Sequence, residues 1–194
     1  MSLLSAASAY VNLGFSVVVA DANKVPLTRH GFPHGASSAT QDLSLIEHAL
    51  GYPGATLALR VGAHIVLDVD VRHGGPEALA KQLDSFGSLP KSWLATTPTG
   101  GSHFWFNPVQ FKPKGKLCQG VEVLTGNRLV TVSPSARAGD RYRWIRSPLT
   151  ELAHAPDWLI RAIKPRFRAG AMLALGRLIC GVIVATSRAA RAVA

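Results

Sequence analysis

The sequence predicts an α+β fold built on an antiparallel sheet, with a small αβ module at its N-terminal end. Three observations carry this prediction. Helical periodicity is confined to four stretches, short β-rich segments bounded by turn residues fill most of the second half, and the order runs αβ, then ββαβ, then further strands. Hydrophobic residues make up 47% of the 194 residues and charged residues 16%, a balance that supports a packed core and excludes a solvated polyampholyte.

Residues 3–13 place Leu3, Leu4, Ala7, Tyr10 and Val11 at helical spacing, with Ser2 as N-cap and Gly14 as the stop. The apolar, β-branched run Phe15 to Ala20 reads as a buried strand. Lys, Pro, Gly, His and Ser then dominate Asp21 to Thr40, a loop, before a short helix over Gln41 to Leu50. Thr56 to Val61 and His64 to Val71 read as two strands joined through Gly62 and Ala63, a tight hairpin. Pro76 opens a helix over Glu77 to Phe86, in which Leu79, Leu83 and Phe86 form one stripe. Short strands are expected at Trp93–Thr97, His103–Phe106, Val121–Leu124, Leu129–Val132 and Tyr142–Ile145, and a closing helix at Pro156–Ile163.

The formal net charge is +10, from 21 Lys and Arg against 11 Asp and Glu. Its distribution is uneven. Residues 1–157 hold 14 basic and 11 acidic residues, whereas Arg161, Lys164, Arg166, Arg168, Arg177, Arg188 and Arg191 follow without a single acid. Basic surface of this kind suits a polyanion such as nucleic acid. Ala169 to Ser187 is apolar and 19 residues long, but Arg177 at its middle would cost about 2.5–3.5 kcal/mol on insertion, so a helical tail is expected rather than a membrane span. Cys118 and Cys180 show neither CxxC nor metal spacing, and no basic stretch precedes the apolar N-terminal residues. A cytoplasmic, reducing setting is therefore expected.

The chemistry concentrates in three segments. Along His64–Val71, alternation places Val66, Asp68 and Asp70 on one face, with the two carboxylates about 7 Å apart. Two such acids repel and are costly to desolvate unless a divalent cation lies between them, and carboxylate oxygens suit Mg²⁺ or Mn²⁺; the plain alternative is a strand that stops at Leu67, with both acids solvated in a loop. In Ser102–Phe106, Phe104 and Phe106 point to the core and His103 and Trp105 to the other face, after the small-residue loop Thr97–Ser102. In Gly120–Leu124, Glu122 points away from Val121 and Val123, and would complete a three-carboxylate site able to hold two metals. Nucleases and phosphatases use similar sets. Two basic segments accompany these, Phe111–Lys116 and Arg137, Arg141, Arg143 and Arg146 with Tyr142 and Trp144 interleaved. They suit backbone phosphates and stacked bases, or equally a solvated loop and a protected edge strand.

From Leu3 to Trp158 the chain resembles the N-terminal primase-polymerase domain of plasmid and phage replication proteins, a branch of the archaeo-eukaryotic primase superfamily. The resemblance rests on ordered pieces: the opening AAxAYVxLGFSVV, KVP at Lys24–Pro26, GASSATQD at Gly35–Asp42, VLDVDVRHGG at Val66–Gly75, TPTGGSHFWF at Thr97–Phe106, GVEVLTGNRLVTVSPS at Gly120–Ser135, and GDRYRW. It implies an αβ module over residues 1–62 and an RRM-like catalytic half over 63–158; beyond it, the composition of residues 159–194 predicts a basic apolar helical tail. It further implies template-directed nucleotidyl transfer with two divalent ions, Mg²⁺ or Mn²⁺, on single-stranded DNA template and primer. Nucleoside triphosphates would be the substrates and a replicative helicase a further partner. By position, Asp68, Asp70 and Glu122 would be the metal ligands, His103 a triphosphate ligand, and Gly100, Gly101 and Ser102 the loop around the phosphates; Lys24 would be an additional substrate contact. Glu122 departs from the pattern, which more usually has Asp there. Two other functions fit the same residues: a non-catalytic single-strand-binding module, and a metal-dependent phosphoesterase or nuclease.

Overall fold

A computed structural model describes residues 1–165. Helix α1 (Leu3–Asn12) starts where the Ser2 hydroxyl accepts the Ser5 N–H, and it turns Ala6, Ala7 and Tyr10 inward. Strand β1 (Val17–Ala20) is buried throughout. After the loop, helix α2 (Leu43–Leu50) is capped by Asp42, whose carboxylate accepts the Ser44 and Leu45 N–H groups.

Strand β2 (Thr56–Val69) runs 14 residues without reversal, which corrects the hairpin expected at Gly62 and Ala63. Gly62, with φ of 62°, could equally open a two-residue turn, but β2 goes on pairing with β6 on both sides of it. A bulge forms there instead, and the register shifts on both sides of Gly62.

Helix α3 (Gly75–Phe86), β3 (Leu94–Thr96), β4 (Ser102–Phe106) and β5 (Lys116–Cys118) follow. Strand β6 (Val121–Thr131) likewise merges two expected strands, and its Gly126, with φ of 64°, lies opposite Gly62. The short hairpin β7 (Ala136–Arg137) and β8 (Asp140–Arg141), then β9 (Arg143–Arg146) and α4 (Asp157–Ile163), complete the described chain. Residues 166–194, which hold most of the expected tail and Cys180, lie outside the described residues. Among the described residues no helix is long and apolar enough to cross a membrane.

Every pairing in the sheet is antiparallel, in the order β5-β6-β2-β4-β3-β9, with β1 added to the first half of β2. The mixture of helices with this antiparallel sheet is the expected α+β class. Both faces of the sheet are covered. One packs Val66, Trp105, Leu124 and Val130 against residues of α1, β1 and α2 such as Ala7, Val18 and Ile46. The other packs Ile65, Leu67, Val69, Phe106, Val121 and Val123 against Leu79 of α3 and Trp158, Leu159 and Ile163 of α4. The expectation of a single core face beneath Phe104 and Phe106 is thus too simple, because Trp105 is fully buried on the opposite side.

Tyr10 ties the first layer to the far edge of the sheet. Its hydroxyl donates to the Ser133 carbonyl at 2.6 Å and accepts from Trp144 Nε1 at 2.8 Å. Tyr10→Phe removes both bonds and strands a half-buried indole N–H, so a loss of about 1–3 kcal/mol is expected, read as a lower melting temperature. Burial pushes the Tyr10 hydroxyl from 10.0 up to about 12. Its neutral form therefore contributes stability that is complete below pH 10 and lost as pH rises from 10 towards 12. The Phe variant is expected to lack that part of the alkaline loss.

Candidate active site

The site begins where the apolar face ends. Val66 on β2 pairs with Trp105 on β4 and with Leu124 on β6, an apolar row buried under the N-terminal layer. Two residues further along, on the same face of all three strands, Asp68 pairs with His103 on one side and with Glu122 on the other. A carboxylate, an imidazole and a second carboxylate thus stand in one row across the sheet. Residues separated by 35 and 54 positions from Asp68 meet through strand register alone.

Each member has a distinct environment. His103 is 4% exposed, with Nε2 3.5 Å from Asp68 Oδ1 and its ring stacked against buried Tyr142 at 5.9 Å. Its Nδ1 is buried without a hydrogen-bond partner among the described residues. The Asp68 side chain is 36% exposed. Glu122 is 59% exposed and lies 3.4 Å from Arg128 Nη2.

Asp70 stands one residue past the end of its strand, on the same cleft as Asp68. β2 ends at Val69, and Asp70 caps the 3₁₀ turn Val71–His73, accepting the Arg72 N–H. Just beyond it Gly74, with φ of 70°, lets the chain turn sharply into α3, while the Asp70 N–H still donates to the Gly120 carbonyl. Arg72 grips the carboxylate through Nε at 3.1 Å and Nη2 at 2.9 Å, and His73 Nδ1 lies 2.9 Å from Oδ2. The Arg72 guanidinium, with a smaller contribution from His73, holds the Asp70 carboxyl well below the usual carboxylate range.

An open cleft of about 700 Å³ brings the three acids to one wall system with Arg72, His73, Lys116 and Gln119. As they stand, no three His, Cys, Asp or Glu side chains among the described residues converge closely enough to hold an ion. The donor set nonetheless suits a hard divalent cation, being three carboxylates on one cleft. For Asp70 to offer an oxygen, Arg72 has to swing away, and its side chain is 64% exposed.

On the His103 side, a small hollow joins Asp68 and Asp70 to Lys24, Arg72, Thr97, Thr99, Arg137 and Tyr142. Lys24 sits there at a φ of 69°, in a loop shaped by the Asp21 carboxylate, which accepts the Asn23 and Val25 N–H groups. Its Nζ lies 6.0 Å above the Tyr142 ring. The loop from Thr97 to Ser102 borders the hollow, but its Gly100 N–H donates to the Thr97 carbonyl and its Gly101 N–H to Thr97 Oγ1. Gly101 is needed because a Cβ there would collide with the Val69 carbonyl oxygen. Ser102 opens β4 beside these residues.

Sequence reasoning missed Tyr142, Arg72 and Arg137 as parts of this site. Arg72 stood next to the acidic motif and was legible as its counter-charge. Tyr142 and Trp144 suit base stacking or an edge strand equally in the sequence; in the structure Tyr142 is 2% exposed, and Trp144 is half-buried with its indole N–H on Tyr10.

Acids and cations facing one another at the end of an antiparallel α+β sheet are the equipment of a phosphate-transfer class of protein. A family model makes that class specific. Residues 7–158 match the bifunctional DNA primase/polymerase N-terminal domain, and the chain belongs to this family. The family is of nucleotidyltransferase type and generally metal-dependent, and its role implies DNA and nucleotide substrates. No curated protein matches the chain.

Proposed function

We propose that this domain adds nucleotides to the 3′ end of a DNA strand on a single-stranded template, with residues 1–62 as its αβ module and 63–158 as its RRM-like catalytic half. The observation that carries the proposal is the row Glu122–Asp68–His103, set at the edge of a buried face and flanked by cations on both sides. Asp68, Asp70 and Glu122 would hold Mg²⁺ or Mn²⁺, which when bound supplies charge neutralisation and a more acidic 3′-hydroxyl. His103, Lys24 and Arg137 face the same hollow, and they would hold the triphosphate by charge-assisted hydrogen bonds. Tyr142 backs the His103 ring and limits its rotation. The loop with Gly100, Gly101 and Ser102 would act mainly as a shaped wall, since two of its amides are already engaged. The 3′ oxygen then bonds to the α-phosphorus as the bond to the pyrophosphate oxygen breaks.

One observation favours a second reading, a non-catalytic single-strand-binding module: Asp70 is already paired with the Arg72 guanidinium and lies at hydrogen-bond distance from His73 Nδ1. The test incubates labelled nucleotides, Mn²⁺ or Mg²⁺, and templates with and without a primer, beside an Asp68→Ala/Asp70→Ala variant. Extension by the wild type alone supports nucleotide addition. Absence of any product, or equal product from the variant, sinks it, and shortening of the DNA points instead to a phosphoesterase or nuclease.

A further inference from the structure

The acid row has two sides, and they differ in kind. On the β4 side lies the small hollow with His103, Lys24, Arg137 and Arg72. On the β6 side the 700 Å³ cleft continues past Glu122 into a second hollow of about 480 Å³, lined by Lys112, Pro113, Gly115, Asn127 and Arg128. Lys116, paired with Glu122 across β5 and β6, stands on the wall of the first. The result is an open channel that leads away from Asp68 and carries Lys116, Arg128 and Lys112 in succession.

This channel is already shaped. Lys114 is turned the other way, with Nζ on the Ala162 carbonyl and its N–H on that of Ile163, so the loop is pinned to α4 and leaves exposed Lys112 and Lys116 on the channel side. The Gly115 carbonyl accepts the Val123 N–H and fixes the loop to β6. The competing basic segment is partly engaged within the fold and leaves Arg141 exposed. Arg143 pairs with Asp140 at 2.6 Å, Arg146 donates to the Ser92 carbonyl, Tyr142 is buried, and Trp144 is half-buried with its indole N–H on Tyr10.

Chemistry then assigns the occupant. In-line displacement at phosphorus requires the attacking and leaving oxygens to lie on opposite sides of the transferred group. With the triphosphate on the β4 side, the attacking 3′-hydroxyl must arrive from the β6 side. We infer that the Lys116–Arg128–Lys112 channel holds the backbone of the primer strand, its 3′ end reaching Asp68 past Glu122. This rests on the nucleotide-addition reading for the identity of the strand, while the position of the nucleic acid is measured independently of turnover.

Two measurements on the full chain test it. Fluorescence polarisation of a labelled primer–template across a salt series compares the wild type with Lys112→Glu/Lys116→Glu, and with Arg141→Glu on the other flank. Loss of two phosphate contacts is expected to weaken binding about 10- to 100-fold near 0.15 M salt and to lower the log–log salt slope by about 1.8. Arg141→Glu is expected to leave both unchanged. Lys112→Gln/Lys116→Gln, which keeps two exposed polar side chains, should lower the slope in the same direction if charge reversal impairs folding. A primer with a photoreactive base at its 3′ end should crosslink within residues 109–128. An unchanged slope in both double variants, equal loss in Arg141→Glu, or crosslinks within residues 135–146 overturns the inference. A wild type that crosslinks as expected but extends nothing refutes the addition reaction and leaves the binding channel standing; one that extends primers but crosslinks on the other flank refutes the channel alone.

Discussion

Asp68→Asn is expected to reduce nucleotide addition by at least about 10²-fold while shifting the melting temperature by only a few degrees. The residue occupies the centre of the row, with His103 and Glu122 as its two cross-strand neighbours. Asparagine keeps its shape and its place in the ladder but removes the negative charge that would neutralise a cation. The expected loss exceeds the roughly 10–100-fold typical of residues that only orient a ligand. Glu122→Gln should cost less than Asp68→Asn. Glu122 is 59% exposed, already near Arg128, and reaches the cleft on a longer arm. Primer-extension rates at saturating nucleotide, beside a thermal melt of each variant, check the ranking. A variant with wild-type rate would remove Asp68 from the reaction, and a collapse of the melt would reduce its effect to folding.

Gly120→Ala is expected to damage both stability and the site. Gly120 has φ of 63°, and a Cβ there would lie 2.5 Å from the Gly75 N and 2.7 Å from the His73 carbonyl oxygen. Both are backbone atoms, so no side chain can swing aside. Left-handed backbone alone costs about 1–3 kcal/mol for a residue with a Cβ, and the collision adds to it. At about 2–4 °C for each kcal/mol in a domain of this size, the melting temperature should fall by several degrees or more. The functional effect travels through two hydrogen bonds. The Asp70 N–H donates to the Gly120 carbonyl and the Gly75 N–H to the Asp70 carbonyl, so the two turns hold Asp70 between them. Mn²⁺ binding without nucleotide, measured by electron paramagnetic resonance, should weaken in parallel. Unchanged melting and unchanged Mn²⁺ binding would show that the turns give way more easily than their contacts indicate.

The acid–imidazole–acid row was legible in the sequence because alternation is a local property. Val66 and Asp68, Trp105 and His103, and Leu124 and Glu122 each fall two apart, and only the register between strands had to come from folding. The end of β2 just before Asp70 was not legible, because it goes with the Gly74 turn and its docking against Gly120, which periodicity does not report. The supposed hairpin at Gly62 failed for a related reason: one glycine with positive φ signals a bulge and a turn alike, and the partner Gly126 lies 64 positions away. Tyr142 and Trp144 carried a mixed signal, since aromatic residues among arginines serve equally as stacking platforms and as core. Burial decided for core.

The matched bulges at Gly62 and Gly126 leave β2 and β6 unbroken through the whole sheet. The strand that presents Asp68 is therefore also the strand that β1 pairs with and that α1 and α2 help to cover. A protein wired this way stores recognition and foldedness in one account: whatever grips the acid end is felt as melting resistance at Tyr10 and Ile46, and the described body should come apart in a single transition.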